Sequence, residues 1–138
     1  MNKVFIILVF TVGINATAQI ATYQTDNSGT NASAIGYQTS ATNTASTAIG
    51  NNSTASGVTS TAMGRETLAS GVSSTAMGYQ TKATNTAATA MGDNSTASGV
   101  TSTAIGDNST ASGETSIAMG FETEATYSAS IAMGYQTS

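Results

Sequence analysis

Glycine returns at a fixed interval along almost the whole chain. Between Asn52 and Gly106 it stands at Gly57, Gly64, Gly71 and Gly78, yields to Asn85, and resumes at Gly92, Gly99 and Gly106. Every second glycine closes Thr-Ala-Met-Gly or Thr-Ala-Ile-Gly, so the unit is 14 residues long and made of two related halves. The density of Gly, Ser and Thr excludes helix, as does the lack of any 3.6-residue apolar spacing. A disordered linker of this composition has no reason to keep phase. The remaining solution is an all-β solenoid, a β-roll of 14-residue coils with two short strands per coil, stacked in parallel.

The glycines that close each unit are Gly36, Gly50, Gly64, Gly78, Gly92, Gly106, Gly120 and Gly134. Half-way between them stand Gly29, Asn43, Gly57, Gly71, Asn85, Gly99, Gly113 and Tyr127. Gly and Asn take φ > 0 most readily, so both columns are expected to form the turns, with a different turn at Tyr127. Seven residues from turn to turn leave about four or five for a strand. Coils about 4.8 Å apart give a rod body about 40 Å long.

The columns decide what faces inward. Two residues before each closing glycine stand Ala34, Ala48, Ala62, Ala76, Ala90, Ala104, Ala118 and Ala132. Half a unit earlier stand Ala41, Ala55, Ala69, Ala83, Ala97, Ala111 and Ala125, with Asn27 departing. Strand side chains alternate faces, so residues two before each alanine share its side, and all of those are Ala, Ser or Thr. Two strands facing across a narrow lumen admit only small side chains, which makes the alanine columns the core. Ser and Thr in that lumen are expected to bond to backbone or to each other, since a buried unpaired hydroxyl is costly.

The outward column just before the closing glycine is Ile35, Ile49, Met63, Met77, Met91, Ile105, Met119 and Met133, and it never holds a polar residue. An exposed apolar stripe of this length signals an interface. Chains meeting along it would form a symmetric oligomer, with this column as the seam. The opposite outward column (Ser40, Thr54, Leu68, Lys82, Thr96, Thr110 and Glu124) has the mixed chemistry of a solvent face. An inverted arrangement, with Ile and Met inside and Ala outside, is the alternative. It would force a bulky pair into each coil and leave rows of Ala exposed.

The chemistry that is missing narrows the function. The 138 residues contain no Cys and no His, so disulfides, thiolate metal sites and the commonest general base are absent. No catalytic, cofactor-binding or metal site is read from the sequence, and the chain is not read as an enzyme. Asp93 and Asp107 share a turn column and read as solvated acids rather than a Ca²⁺ site. Tyr23, Tyr37, Tyr79, Phe121 and Tyr135 share that column and read as packing from coil to coil. Three basic residues against seven acids give a formal charge of −4, which argues against nucleic acid and anionic lipid.

At the N-terminus, Lys3, the apolar run Val4–Ile14 and the small residues of Ala16-Thr17-Ala18 read as a signal peptide, residues 1–18, cleaved after Ala18. The apolar run is too short to span a bilayer, and no membrane span is expected in the mature segment. Residues 19–25 form a lead-in, and the repeat occupies residues 26–138.

Asn31-Ala32-Ser33-Ala34-Ile35-Gly36 resembles the Asn-Ser-Val-Ala-Ile-Gly motif of YadA-like heads in trimeric autotransporter adhesins. Asn-Ser-Thr-Ala-Ser-Gly at Asn52–Gly57, Asn94–Gly99 and Asn108–Gly113 looks like the same motif with its Ile replaced by Ser. The resemblance implies a left-handed parallel β-roll, a homotrimer of chains side by side, and display on a bacterial surface. It also implies binding of host matrix proteins or other cells. By position, the Ile/Met column would form the trimer seam and the alanine columns the core. Thr replaces the family's Val in most repeats, so the seam would be more polar than usual. The neck, stalk and membrane-anchoring barrel have no counterpart in these residues, so anchorage in the outer membrane would need a longer gene. Two other readings stay open: an ice-binding solenoid using its Ser/Thr ladders, and a structural spacer with no ligand.

Overall fold

The computed structural model describes residues 23–138, and the signal peptide expected at residues 1–18 lies outside the described residues. Longer strands alternate with shorter ones along the chain. They are β1 (Ser33–Tyr37), β2 (Ser40–Ala41), β3 (Thr47–Asn51), β4 (Thr54–Ala55), β5 (Thr61–Arg65), β6 (Leu68–Ala69), β7 (Thr75–Tyr79) and β8 (Lys82–Ala83). The order continues with β9 (Thr89–Asp93), β10 (Thr96–Ala97), β11 (Thr103–Asp107), β12 (Thr110–Ala111), β13 (Ile117–Phe121), β14 (Glu124–Ala125) and β15 (Ile131–Tyr135).

The odd-numbered strands form one 8-stranded sheet in the order β1-β3-β5-β7-β9-β11-β13-β15. The even-numbered strands form a 7-stranded sheet beside it. All pairings between coils are parallel and in register. In β5 and β7, Ala62 lies over Ala76, Met63 over Met77 and Gly64 over Gly78. The chain is therefore a parallel β-solenoid whose coils advance by one 14-residue repeat. The two halves differ in strand length, five residues against two, because the second half of each coil is largely taken up by corners.

Pleating decides what each column meets. Ser60, Ala62, Ser74 and Ala76 are buried, while Thr61, Met63, Thr75 and Met77 between them lie outward and half-buried. Both alanine columns line the lumen, and none of those from Ala34 to Ala132 is more than 5% exposed. A bore this narrow buries methyl groups rather than large side chains. Each alanine contributes little alone, and cohesion comes from repeating the same contact in every coil.

The turns do not follow the glycines. The closing glycines have positive φ, from 119° to 135°, but they lie within the longer strands. The half-way glycines do not have positive φ at all. The left-handed residues come two places later in both halves, at every seventh position from Gln24 to Gln136, with φ from 49° to 58°. They include Ala45, Thr59, Ser73 and Glu66, types that ordinarily avoid this region. Their N–H groups hold them there. Thr59 donates to the Thr44 carbonyl at 2.9 Å and Ala87 to the Val72 carbonyl at 2.8 Å, each one coil back.

The half-way glycines serve close approach instead. A Cβ on Gly57 would run into the Gly71 carbonyl oxygen of the next coil. Asn43 and Asn85 occupy the same column by another device. Their side-chain amides donate to the Ser56 and Ser98 carbonyls of the next coil, at 3.2 and 3.1 Å. Tyr127 does not change the turn. Ala129 is left-handed there as elsewhere, and Ser130 N–H closes onto the Tyr127 carbonyl at 3.1 Å. The Tyr127 side chain is 81% exposed.

The buried hydroxyls divide into three groups. Ser60, Ser74 and Ser102 donate from Oγ to the carbonyl three residues back, at 2.7–2.8 Å, and so brace the corner. Ser53, Ser95 and Ser109 donate to Gly64, Gly106 and Gly120 of the next coil, at 2.9–3.0 Å. Thr39, Thr67 and Thr81 have no partner for Oγ1, contrary to the expectation that every buried hydroxyl is paired. Removing an orphan hydroxyl at constant shape should stabilise. Thr81→Val is expected to gain about 1 kcal/mol and Ser60→Ala to lose about 1 kcal/mol. Urea midpoints at unchanged m-value check both.

Candidate interaction surface

The outer face of the larger sheet carries Ile35, Ile49, Met63, Met77, Met91, Ile105, Met119 and Met133 in one line. Each lies in register with the next. Stacking hides part of each side chain against its neighbours above and below. All but the last are half-buried, and Met133 on β15 is 60% exposed. Burying the remainder against a partner would supply about 1 kcal/mol per side chain, roughly half the value for a fully exposed one. Beside the line runs a second outward column of Ser33, Thr47, Thr61, Thr75, Thr89 and Thr103, whose hydroxyls can still meet water or a partner, continued by the apolar Ile117 and Ile131.

The smaller sheet presents a different surface. Its outward column of Ser40, Thr54, Leu68, Lys82, Thr96, Thr110 and Glu124 mixes hydroxyl, apolar and both signs of charge. Val58, Val72 and Val100 are exposed at the corner that follows it. A face of such mixed content has no continuous apolar area comparable with the Ile/Met line.

The corner after each closing glycine carries two ladders. The first is the aromatic and charged column. Tyr23 stacks on Tyr37 with ring centroids 5.5 Å apart, and Phe121 on Tyr135 at 5.1 Å. The Arg65 guanidinium sits 5.0 Å above the Tyr79 ring. These rings are used from coil to coil. Asp93 and Asp107 lie in register and exposed in the same column. Among the described residues no group of three or more His, Cys, Asp or Glu could hold a metal ion.

The second ladder escapes a reading based on turn propensity. The left-handed residues of this corner are Gln24, Gln38, Asn52, Glu66, Gln80, Asn94, Asn108, Glu122 and Gln136. Gln38 donates to Gln24 at 3.1 Å, Gln80 to Glu66 at 2.8 Å and Gln136 to Glu122 at 2.8 Å. Asn94 donates to Asn108. The Gln80 bond is the main cause that holds the Glu66 carboxyl below the usual carboxylate range, aided by Arg65 at 3.2 Å. What stability this adds is present at neutral pH and lost as pH falls through the lowered folded value.

The signal for this ladder lies in a dipeptide. Asn in the column is always followed by Ser, and Gln or Glu always by Thr. The two kinds of corner differ physically. In three Asn-Ser corners the buried Ser donates to the next coil, whereas four Gln- or Glu-Thr corners leave the Thr hydroxyl unpaired.

Among the described residues, this arrangement sets neither His nor Cys beside its many hydroxyls. What it offers is a rigid rod with one apolar line, one mixed face and a polar corner. Among the described residues no helix is long and apolar enough to cross a membrane. No curated protein matches the chain. The family model for the YadA head domain repeat, written for two copies, matches residues 28–53, 41–67, 55–80, 69–95 and 97–123.

Proposed function

The chain belongs to the YadA head family, and on that footing we propose that it is the head of a homotrimeric adhesin, secreted or held on a bacterial surface, that attaches cells to host matrix proteins or to other cells. The family is one of adhesin heads and is non-enzymatic in general. The observation that carries the trimer is the unbroken, in-register Ile/Met line from Ile35 to Met133, the one outward column that holds no polar residue. A line of half-buried apolar side chains gains by being covered, and the small alanines of the bore leave no room to turn it inward. Export would use residues 1–18 as a cleaved leader, with the mature chain beginning at Gln19.

Sedimentation equilibrium on the purified mature chain should give three times the protomer mass. The same material should bind immobilised matrix proteins or cell surfaces, and should lose that binding when the oligomer is disrupted. A monomer at micromolar concentration would remove the seam. A trimer that binds no matrix protein and no cell would leave a spacer instead. Ice binding is not favoured, because Leu68, Lys82 and Glu124 interrupt the outward ladder of the smaller sheet.

A further inference from the structure

Every methionine among the described residues stands in one column, at Met63, Met77, Met91, Met119 and Met133. The chain has no Cys, and its sixth methionine is Met1, so its remaining sulfur is gathered on the apolar line. Shape does not require this. Ile35, Ile49 and Ile105 fill the same outward place in equivalent strands, and Ile suits a strand better than Met does. Met63, Met77 and Met91 are consecutive in register, which sets three thioethers on neighbouring strands about 4.8 Å apart.

We propose that this thioether ladder is an oxidation site, and that its conversion to sulfoxide by a peroxide blocks assembly of the head. The inference rests on the seam reading above. Each sulfur lone pair attacks one peroxide oxygen. The O–O bond breaks, the sulfur is oxidised by two electrons to the sulfoxide, and hydrogen peroxide is reduced to water. The flexible side chains are reachable in the protomer, where Met133 is 60% exposed and the others half-buried. A sulfoxide oxygen is a strong acceptor. The strand N–H groups beneath it are committed to the coil-to-coil ladder, so a covered seam would strip its water and leave it only the Thr hydroxyls of the neighbouring outward column as donors. Assembly shields the same sulfurs, so oxidant acts on the unassembled chain.

The test treats the purified mature chain, residues 19–138, with hydrogen peroxide in urea until intact mass shows five added oxygen atoms, one for each of its methionines. Urea is then removed and the mass in solution measured by sedimentation. The expected result is a protomer with an unchanged β-type far-UV spectrum, against an oligomer from the untreated chain carried through the same urea cycle. Methionine sulfoxide reductases should return the oligomer. A variant with all five methionines changed to Ile should assemble before and after peroxide. Full oxidation with the oligomer mass retained overturns the inference and leaves the seam standing. So does peroxide dissociating the Ile variant equally. An untreated chain that is monomeric overturns both this inference and the seam reading. If the oxidised chain fails to refold, retained exposure of the sulfurs is read instead. Pulsed peroxide on untreated protein should then oxidise the assembled fraction at least tenfold more slowly than dilute protomer, and equal rates overturn the inference.

Discussion

Gly78→Ala is expected to destabilise the solenoid by about 2–6 kcal/mol, enough to unfold much of a domain whose total stability is about 5–15 kcal/mol. Two costs meet at this position. The backbone has φ of +123°, where an L side chain is strained by about 1–3 kcal/mol. The new Cβ would also press into the Gly92 carbonyl oxygen, and backbone in a hydrogen-bonded ladder cannot step aside cheaply. The same column and its neighbour allow the costs to be separated. Gly134 has φ of +125°, but its Cβ would meet only Thr137 Cγ2, at 3.7 Å. Gly134→Ala therefore reports the backbone strain alone. Gly57 lacks positive φ, and its Cβ would strike the Gly71 carbonyl, so Gly57→Ala reports the clash alone.

Urea unfolding of the three variants should place Gly78→Ala well above either of the others. Equal losses at Gly78 and Gly134 would mean that stacking contributes nothing to the requirement for glycine. Gly57→Asn should cost less than Gly57→Ala, since Asn43 and Asn85 show how an amide in that column can take up a carbonyl of the next coil. An Asn variant no better than the Ala variant would show that those two turns depend on the rest of their own coils.

These comparisons also show which parts of the fold were readable. Columns are legible because parallel in-register stacking places each residue against its own counterpart, as at Ala62 and Ala76. One chemistry is then imposed along the rod, and alanine in every coil can only mean a narrow interior. Corners are less legible because glycine answers two demands. At Gly78 it supplies positive φ inside a strand, and at Gly57 it supplies room. The left-handed places go to Gln80, Ala87 and Thr59, which propensity alone would not choose. A penalty of about 1–2 kcal/mol at each is met by the N–H bond to the preceding coil, which no single-residue preference foresees. The orphan hydroxyls of Thr67 and Thr81 are similar: burial is evident from the column, but pairing is not, since Thr123 in the same column donates to Ser109. The Ile/Met line was visible as a column, whereas the partner proposed to cover it lies outside a single chain.

Met77→Asp combined with Met91→Asp is expected to abolish the oligomer and leave the coils folded. The two positions are in register on β7 and β9, midway along the line. In the protomer both side chains are half-buried on an outer face, so the carboxylates can reach water. Their mutual repulsion there costs about 1 kcal/mol, and the poorer strand preference of Asp at most about 1 kcal/mol each. In a covered seam the same carboxylates lose water and meet thioethers and methyl groups. The cost becomes several kcal/mol for each buried, unpaired charge, repeated in every protomer. That exceeds the roughly 1 kcal/mol per side chain that the line gains on being covered. Thr54→Asp with Leu68→Asp is the matched control, since β4 and β6 place two neighbouring charges on the opposite face. Sedimentation should give protomer mass for the Met pair and unchanged mass for the control, both with native far-UV spectra. Unchanged mass for the Met pair would move the interface off this line. Dissociation by the control as well would mean that charge anywhere on the rod disrupts assembly, and that the chains are joined through more than one face.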